Sequence, residues 1–137
     1  MKDYLFVYGT LRKNYNLKLK KQVKDELLYV GKARVGASLY DLGRYPGAVK
    51  NSGGNEIIGD VFLLSDPEKV FRILDEYEGY LEDEVIDSEF IRKRNRVKLD
   101  SGKNINAWIY WYNFDPENKV KIRHKDYLKY LKNKNIS

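Results

Sequence analysis

Residues 65–80 read SDPEKVFRILDEYEGY, and this stretch decides how the rest of the chain is divided. It carries the one clear helical signal, predicted over Ser65–Tyr77. Asp66 can cap the helix with Pro67 at the first helical position, where proline loses no hydrogen bond. Ser65 and Glu68 also fit a capping box, an alternative start for the same helix. Gly79 suits the left-handed position that ends a helix. Advancing about 100° per residue puts Val70, Phe71, Leu74 and Tyr77 on one face, with Ile73 at its edge. Glu68, Asp75 and Glu76 fall toward solvent. Glu78 does not, lying roughly 20° from Phe71 and about 40° from Leu74, beside the apolar stripe.

That position is doubly unfavourable for a carboxylate. The last turn is the negative end of the helix dipole, and the neighbouring aromatic residues remove water. Both effects raise a carboxyl pKa, as general acid–base chemistry near neutral pH requires. The other reading of Glu78 is a frayed last-turn side chain that swings into solvent past Gly79.

Around this helix the signals are those of strands: Tyr4–Tyr8, Tyr29–Tyr40, Ala48–Val49, Ile57–Leu64, Phe90–Leu99 and Ile105–Trp111. Gly31, Gly36 and Gly43 suit bulges or bends in a curved strand. NSGGNE (51–56) reads as a hairpin, with Gly53-Gly54 supplying positive φ values, and LDSGKN (99–104) as a second. Leu17–Leu28 is expected to form a solvent-facing helix, and Asp126–Lys132 a short C-terminal one. Strands outnumber helices and are mostly hairpin-linked. The expected class is α+β, a strongly curved, mostly antiparallel sheet or small barrel with helices packed on it.

A chain of 137 residues is one domain's worth and buries about two-thirds of its unfolded surface. With 42% hydrophobic and 34% charged residues it reads as a globular, ordered protein. No stretch approaches the roughly 18 consecutive apolar residues of a membrane span. The absence of cysteine excludes disulfides, thiolate metal sites and a Cys nucleophile together. No basic-then-apolar leader precedes the first strand, so the cytoplasm is the expected compartment.

The net charge of +6 is uneven. Residues 117–137 hold seven Lys and Arg against Glu117 and Asp126, a balance of +5. Nucleic acid is not the expected partner, because that reading rests on one tail and one short cluster. Arg92, Arg94, Arg96 and Lys98 alternate and share a strand face, a conceivable phosphate stripe but a better solvated outer face. Glu82, Asp83, Glu84, Asp87 and Glu89 read as a solvated acidic loop, paired with that cluster. His124 is the only histidine, in the basic tail, and a surface role suits it. No metal-ligand spacing and no Walker-type loop appear.

Three separated stretches together resemble the γ-glutamylcyclotransferase-like family. They are FVYGTLR (6–12), GASLYDLGRYPGAV (36–49) and GDVFLLSDPEKVFRILDEYEGY (59–80), followed by FIRKRNRVKL and NAWIYWY. The resemblance runs from residue 4 to about 112, and nothing beyond residue 113 contributes to it. The whole of 1–137 is expected to be a single domain, with 113–137 a basic C-terminal extension. The family fold is a small mixed-strand barrel with flanking helices, in agreement with the α+β reading.

The resemblance implies cleavage of a γ-glutamyl amide without water. The substrate's own α-amine attacks the γ-carbonyl, giving 5-oxoproline and a free amine. Glu78 takes the place of the catalytic carboxylate, the residue that the helical wheel isolates independently. The resemblance assigns Tyr8, Gly9, Thr10 and Leu11 to a loop whose backbone N–H groups hold the substrate's α-carboxylate, and such turns are anion sites. Arg12 adds charge attraction or points outward. Tyr110 matches a tyrosine that the family places in its pocket, and Tyr45-Pro46 matches an element of the pocket wall, with packing an equal role for that pair. Trp108, Tyr110 and Tyr112 share one strand face and Ile109 and Trp111 the other; both are aromatic, which leaves the inward face open.

One carboxylate suffices for this chemistry. It removes a proton from the α-ammonium and returns it to the departing nitrogen, while intramolecular attack replaces a covalent nucleophile. No cofactor or metal is expected. VYGTL and the short chain point to the γ-glutamylamine-type branch, with an amine such as a lysine side chain as leaving group. The rival, from another class, is a non-catalytic domain on the same fold that binds a small metabolite; a carboxylate at position 78 favours catalysis.

Overall fold

The computed structural model describes residues 2–9, 21–50, 53–80 and 83–134. Strand β1 (Tyr4–Val7) is followed by β2 (Leu27–Asp41), β3 (Pro46–Lys50) and β4 (Glu56–Leu64). Helix α1 (Pro67–Glu78) precedes β5 (Phe90–Leu99), β6 (Asn104–Tyr112), β7 (Val120–Ile122) and helix α2 (Tyr127–Lys134). Short 3-10 turns lie at Lys24–Glu26 and Val85–Asp87.

Five strands close a mixed barrel in the order β2, β4, β1, β6, β5, returning to β2. All neighbours are antiparallel except β1 and β6, which run parallel with Leu5 opposite Trp108. Closure is made by Ala33 opposite Leu99 and Arg34 opposite Lys98. The 15-residue β2 serves so many partners through its length: Leu27–Gly36 pairs with β4 across a bulge between Tyr29 and Gly31. Its far end pairs with both β3 and β7.

Strand alternation sorts the apolar side chains into two clusters. Phe6, Val35, Val61, Val97, Ile109 and Trp111 point into the barrel, where Tyr127 and Leu131 of α2 close over them. Leu5, Val7, Phe62, Tyr110 and Tyr112 point outward and are covered by Val70 and Leu74 of α1. The inward face of β6 is therefore that of Ile109 and Trp111. Gly59 is required by this geometry, since a Cβ there would collide with the Val7 carbonyl and the Phe6 ring.

The strand expectations match within two residues, and β7 is an addition. The first helix departs from expectation. Residues 21–23 are helical and residues 17–20 lie outside the described residues, but Leu27 and Leu28 are already strand, paired with Leu64 and Leu63. In the 51–56 hairpin, residues 51 and 52 lie outside the described residues, and Gly54 alone of the glycine pair has positive φ (82°). Beyond residue 112, β7 extends the sheet and Tyr127 is fully buried, so much of the basic segment packs on the barrel. No helix among the described residues is long and apolar enough to cross a membrane.

Candidate active site

Helix α1 starts as its sequence dictates. The Asp66 side chain accepts from the Lys69 N–H at 3.2 Å, and Pro67 occupies the first position. It ends at Gly79, whose φ of 68° lets the chain turn back while the Tyr80 N–H bonds to the Asp75 carbonyl at 2.8 Å. Glu78 is thus the last helical residue, held beside the ends of β1 and β5.

There it lines a cavity of about 300 Å³, together with Tyr8 and Gly9 from the end of β1, and Arg44, Tyr45 and Pro46 from the β2–β3 turn. Tyr77, Glu89, Phe90 and Tyr110 add to the wall. Among the described residues the Glu78 carboxylate makes no hydrogen bond or ion pair. Burial pushes its pKa from 4.5 up to about 8, with the charges of Glu89 and then Asp75 adding to the effect. It can therefore accept and return a proton near neutral pH.

A hydrogen-bonded frame fixes the wall beside Glu78. The Tyr8 hydroxyl, buried, donates to the Tyr110 carbonyl at 2.6 Å and accepts from the Ala48 N–H at 3.1 Å. The Tyr110 hydroxyl donates to Asp75 Oδ1 at 2.6 Å. Arg92 donates to both Asp75 oxygens, from Nε at 2.9 Å and Nη2 at 3.1 Å, while its guanidinium lies over Phe71 at 3.9 Å and Trp108 at 4.7 Å. Burial raises the pKa of Tyr8 and of Tyr110 well above the ordinary phenol value, so both stay neutral donors. Gly9 sits against Pro46, where a Cβ would come within 3.0 Å of the proline ring.

Of the residues expected from sequence, Glu78, Tyr8, Gly9, Tyr110, Tyr45 and Pro46 converge on this one cavity. Thr10, Leu11 and Arg12 lie outside the described residues. Four expectations need correcting. Asp75 does not face solvent but anchors α1, because Arg92 and Tyr110, opposite one another on β5 and β6, both donate to it. Tyr77 is 48% exposed and lines the cavity rather than the packed face of α1. Glu89 is a cavity residue rather than part of a solvated loop, and its two oxygens lie 2.7 and 2.8 Å from the Tyr45 hydroxyl. Arg92 and Arg94 pair with Asp75 and Asp3, not with the acidic loop.

His124 is exposed, as expected of a tail residue. Among the described residues no group of three His, Cys, Asp or Glu is arranged to hold a metal.

Comparison with known proteins gives the chain its family. The family model described as gamma-glutamyl cyclotransferase, AIG2-like, matches residues 5–129. The chain belongs to this family. It is 33% identical over 113 residues to the "Putative gamma-glutamylcyclotransferase MJ1514" of Methanocaldococcus jannaschii, covering 80% of this chain and 84% of that one. Among solved structures, YkqA of Bacillus subtilis superposes with a TM-score of 0.74 at 24% identity. All of this chain is covered there, but only 44% of YkqA, so the chain spans less than half of that protein. An AIG2-like protein of mouse superposes with a TM-score of 0.70 at 19% identity, covering 92% of this chain and 88% of that one. These structural likenesses carry the barrel, and the family match makes the chain a γ-glutamylcyclotransferase-like enzyme acting on a small molecule. The family match also extends past residue 112, through β7 and into α2.

Proposed function

We propose that this enzyme converts a small γ-glutamyl amide into 5-oxoproline and a free amine, with Glu78 as general acid and base. The observation that carries the reading is a carboxylate of raised pKa in a cavity that Tyr8 and Gly9 also line. The substrate's α-carboxylate is held by backbone N–H groups at Tyr8 and Gly9. Its α-ammonium faces Glu78, and Tyr110, Tyr45 and Pro46 confine the chain in a folded conformer.

Glu78 takes a proton from the α-ammonium, which frees the nitrogen lone pair to attack the γ-carbonyl carbon. The new C–N bond forms as the original amide C–N bond breaks, and the proton passes from Glu78 to the departing nitrogen. Over the whole reaction two protons leave the α-nitrogen and two reach the leaving nitrogen. The amine therefore departs with the charge that the ammonium began with, Glu78 returns to its starting state, and no water is consumed. Holding the reacting atoms together supplies much of the acceleration, and the chemistry as written asks for no metal or cofactor.

The motif VYGTL (7–11) favours the γ-glutamylamine-type branch. Incubating the protein with a panel of γ-glutamyl amides and following 5-oxoproline tests the reading. Product from at least one is expected, and none from any would end it in favour of a binding domain.

A further inference from the structure

Glu78 shares its cavity with a second carboxylate. Glu89 lines it too, and among the described residues neither group has a Lys, Arg or His within ion-pair distance. Arg44 also lines the cavity but pairs with neither.

Glu89 is rigidly placed. The Asn113 N–H donates to its carbonyl at 2.8 Å, and the Asn113 side-chain amide donates to the carbonyls of Val85 and Ser88 at 2.8 and 3.0 Å. Ser88, just before it, is completely buried. Tyr45 holds the carboxylate itself, its hydroxyl 2.7 and 2.8 Å from the two oxygens, with its ring packed on Phe90 at 5.9 Å. One hydroxyl supplies one proton, and a carboxylate has about four acceptor sites. Most of the acceptor capacity of Glu89 is left for a ligand.

We propose that Glu89 recognises a positive charge on the leaving amine, so that the preferred substrates are γ-glutamyl derivatives of amines with a second cationic group. This rests on the reaction proposed above. The α-amine must become neutral to attack. A second carboxylate on the same nitrogen would hold it as ammonium and oppose the reaction. The glutamyl part carries no other cation, so the charge that matches Glu89 belongs to the group that leaves. A diamine supplies it, a simple alkylamine does not, and a leaving group with its own carboxylate is repelled.

The test uses three γ-glutamyl amides of matched length, made from 1,4-diaminobutane, n-pentylamine and 4-aminobutyrate. In the wild type, kcat/KM is expected to be roughly tenfold or more higher for the diamine amide than for the pentylamine amide, the size of a hydrogen bond to a charged group. The 4-aminobutyrate amide should be the poorest. In Glu89→Gln the diamine-to-pentylamine ratio should collapse to within about twofold of unity. Tyr45→Phe, which keeps the charge, should retain the preference for the diamine. Equal kcat/KM for all three in the wild type would overturn the proposal, as would a Glu89→Gln variant slowed alike on all three, which would mean contact with the common α-ammonium. If no amide yields 5-oxoproline the reaction itself fails. Calorimetric binding of the same three compounds then tests Glu89 separately: the same order of affinity would support its role, and an order independent of charge would overturn it.

Discussion

The Tyr110 hydroxyl donates a 2.6 Å hydrogen bond to Asp75 Oδ1, one helical turn before Glu78. Tyr110 is gripped at its other end as well, through the 2.6 Å bond from Tyr8 to its carbonyl. The last turn of α1 is thus tied to β6, and β6 to β1, on either side of the cavity. Removing the Tyr110 hydroxyl by Tyr110→Phe should lower stability by about 1 kcal/mol in urea unfolding. Asp75→Ala should cost more, roughly 2 to 3 kcal/mol, because it strands the Arg92 guanidinium between Phe71 and Trp108. Adding Arg92→Met to Asp75→Ala should recover part of that loss. A double variant that is simply additive would show that the pair is not coupled.

Two glycines should fail in different ways. At Gly59 a methyl would strike the Val7 backbone inside the barrel, where nothing can yield. Gly59→Ala should lose about 3 kcal/mol, detectable as a large drop in Tm. At Gly9 the contact is the edge of the Pro46 ring at 3.0 Å, at the cavity wall. Gly9→Ala should shift Tm little and lower kcat/KM by displacing the two lips of the site.

The pKa of Glu78 also links stability to pH. Its folded-state value, about 8, lies above the 4.5 of the ordinary side chain. The folded protein therefore holds this proton more tightly than the unfolded chain. The contribution is fully present below about pH 4.5 and is lost as pH rises through about 8. Glu78→Gln, always neutral, should gain in Tm relative to wild type as pH is raised across that window. A Tm difference that stays constant with pH would show that the carboxyl titrates normally.

The barrel strands are legible in the sequence, because β-branched and aromatic runs broken by Gly-rich turns can bury only one way. Glu78 is legible too, because a helix exposes the angular position of every residue. Glu89 is not. It sits in an acidic run, EDEVIDSE over 82–89, and nothing in that run separates it from its solvated neighbours. Only the packing of Ser88 and the hydroxyl of Tyr45, 44 positions away, select it. Asp75 escapes the helical wheel for a similar reason: a wheel records angle, whereas its partners Arg92 and Tyr110 come from β5 and β6. The end of the first helix is equally hidden, since Leu27 and Leu28 carry no local mark of the strand that β4 recruits them into.

Kinetics should follow the same titration. The base form of Glu78 is the carboxylate, so kcat/KM for a γ-glutamyl amide should climb with pH toward about 8. An acidic limb near 4.3, the unperturbed glutamate value, would contradict a tuned carboxyl.

The most direct measurement is the rate of 5-oxoproline release from a γ-glutamyl amide by wild type and Glu78→Gln, side by side. The substitution removes the proton acceptor while keeping nearly the same shape. Wild type should form 5-oxoproline, and Glu78→Gln should be slower by about 100-fold or more, the range of a lost general base. Equal rates from the two proteins would contradict the role of Glu78 and with it the mechanism.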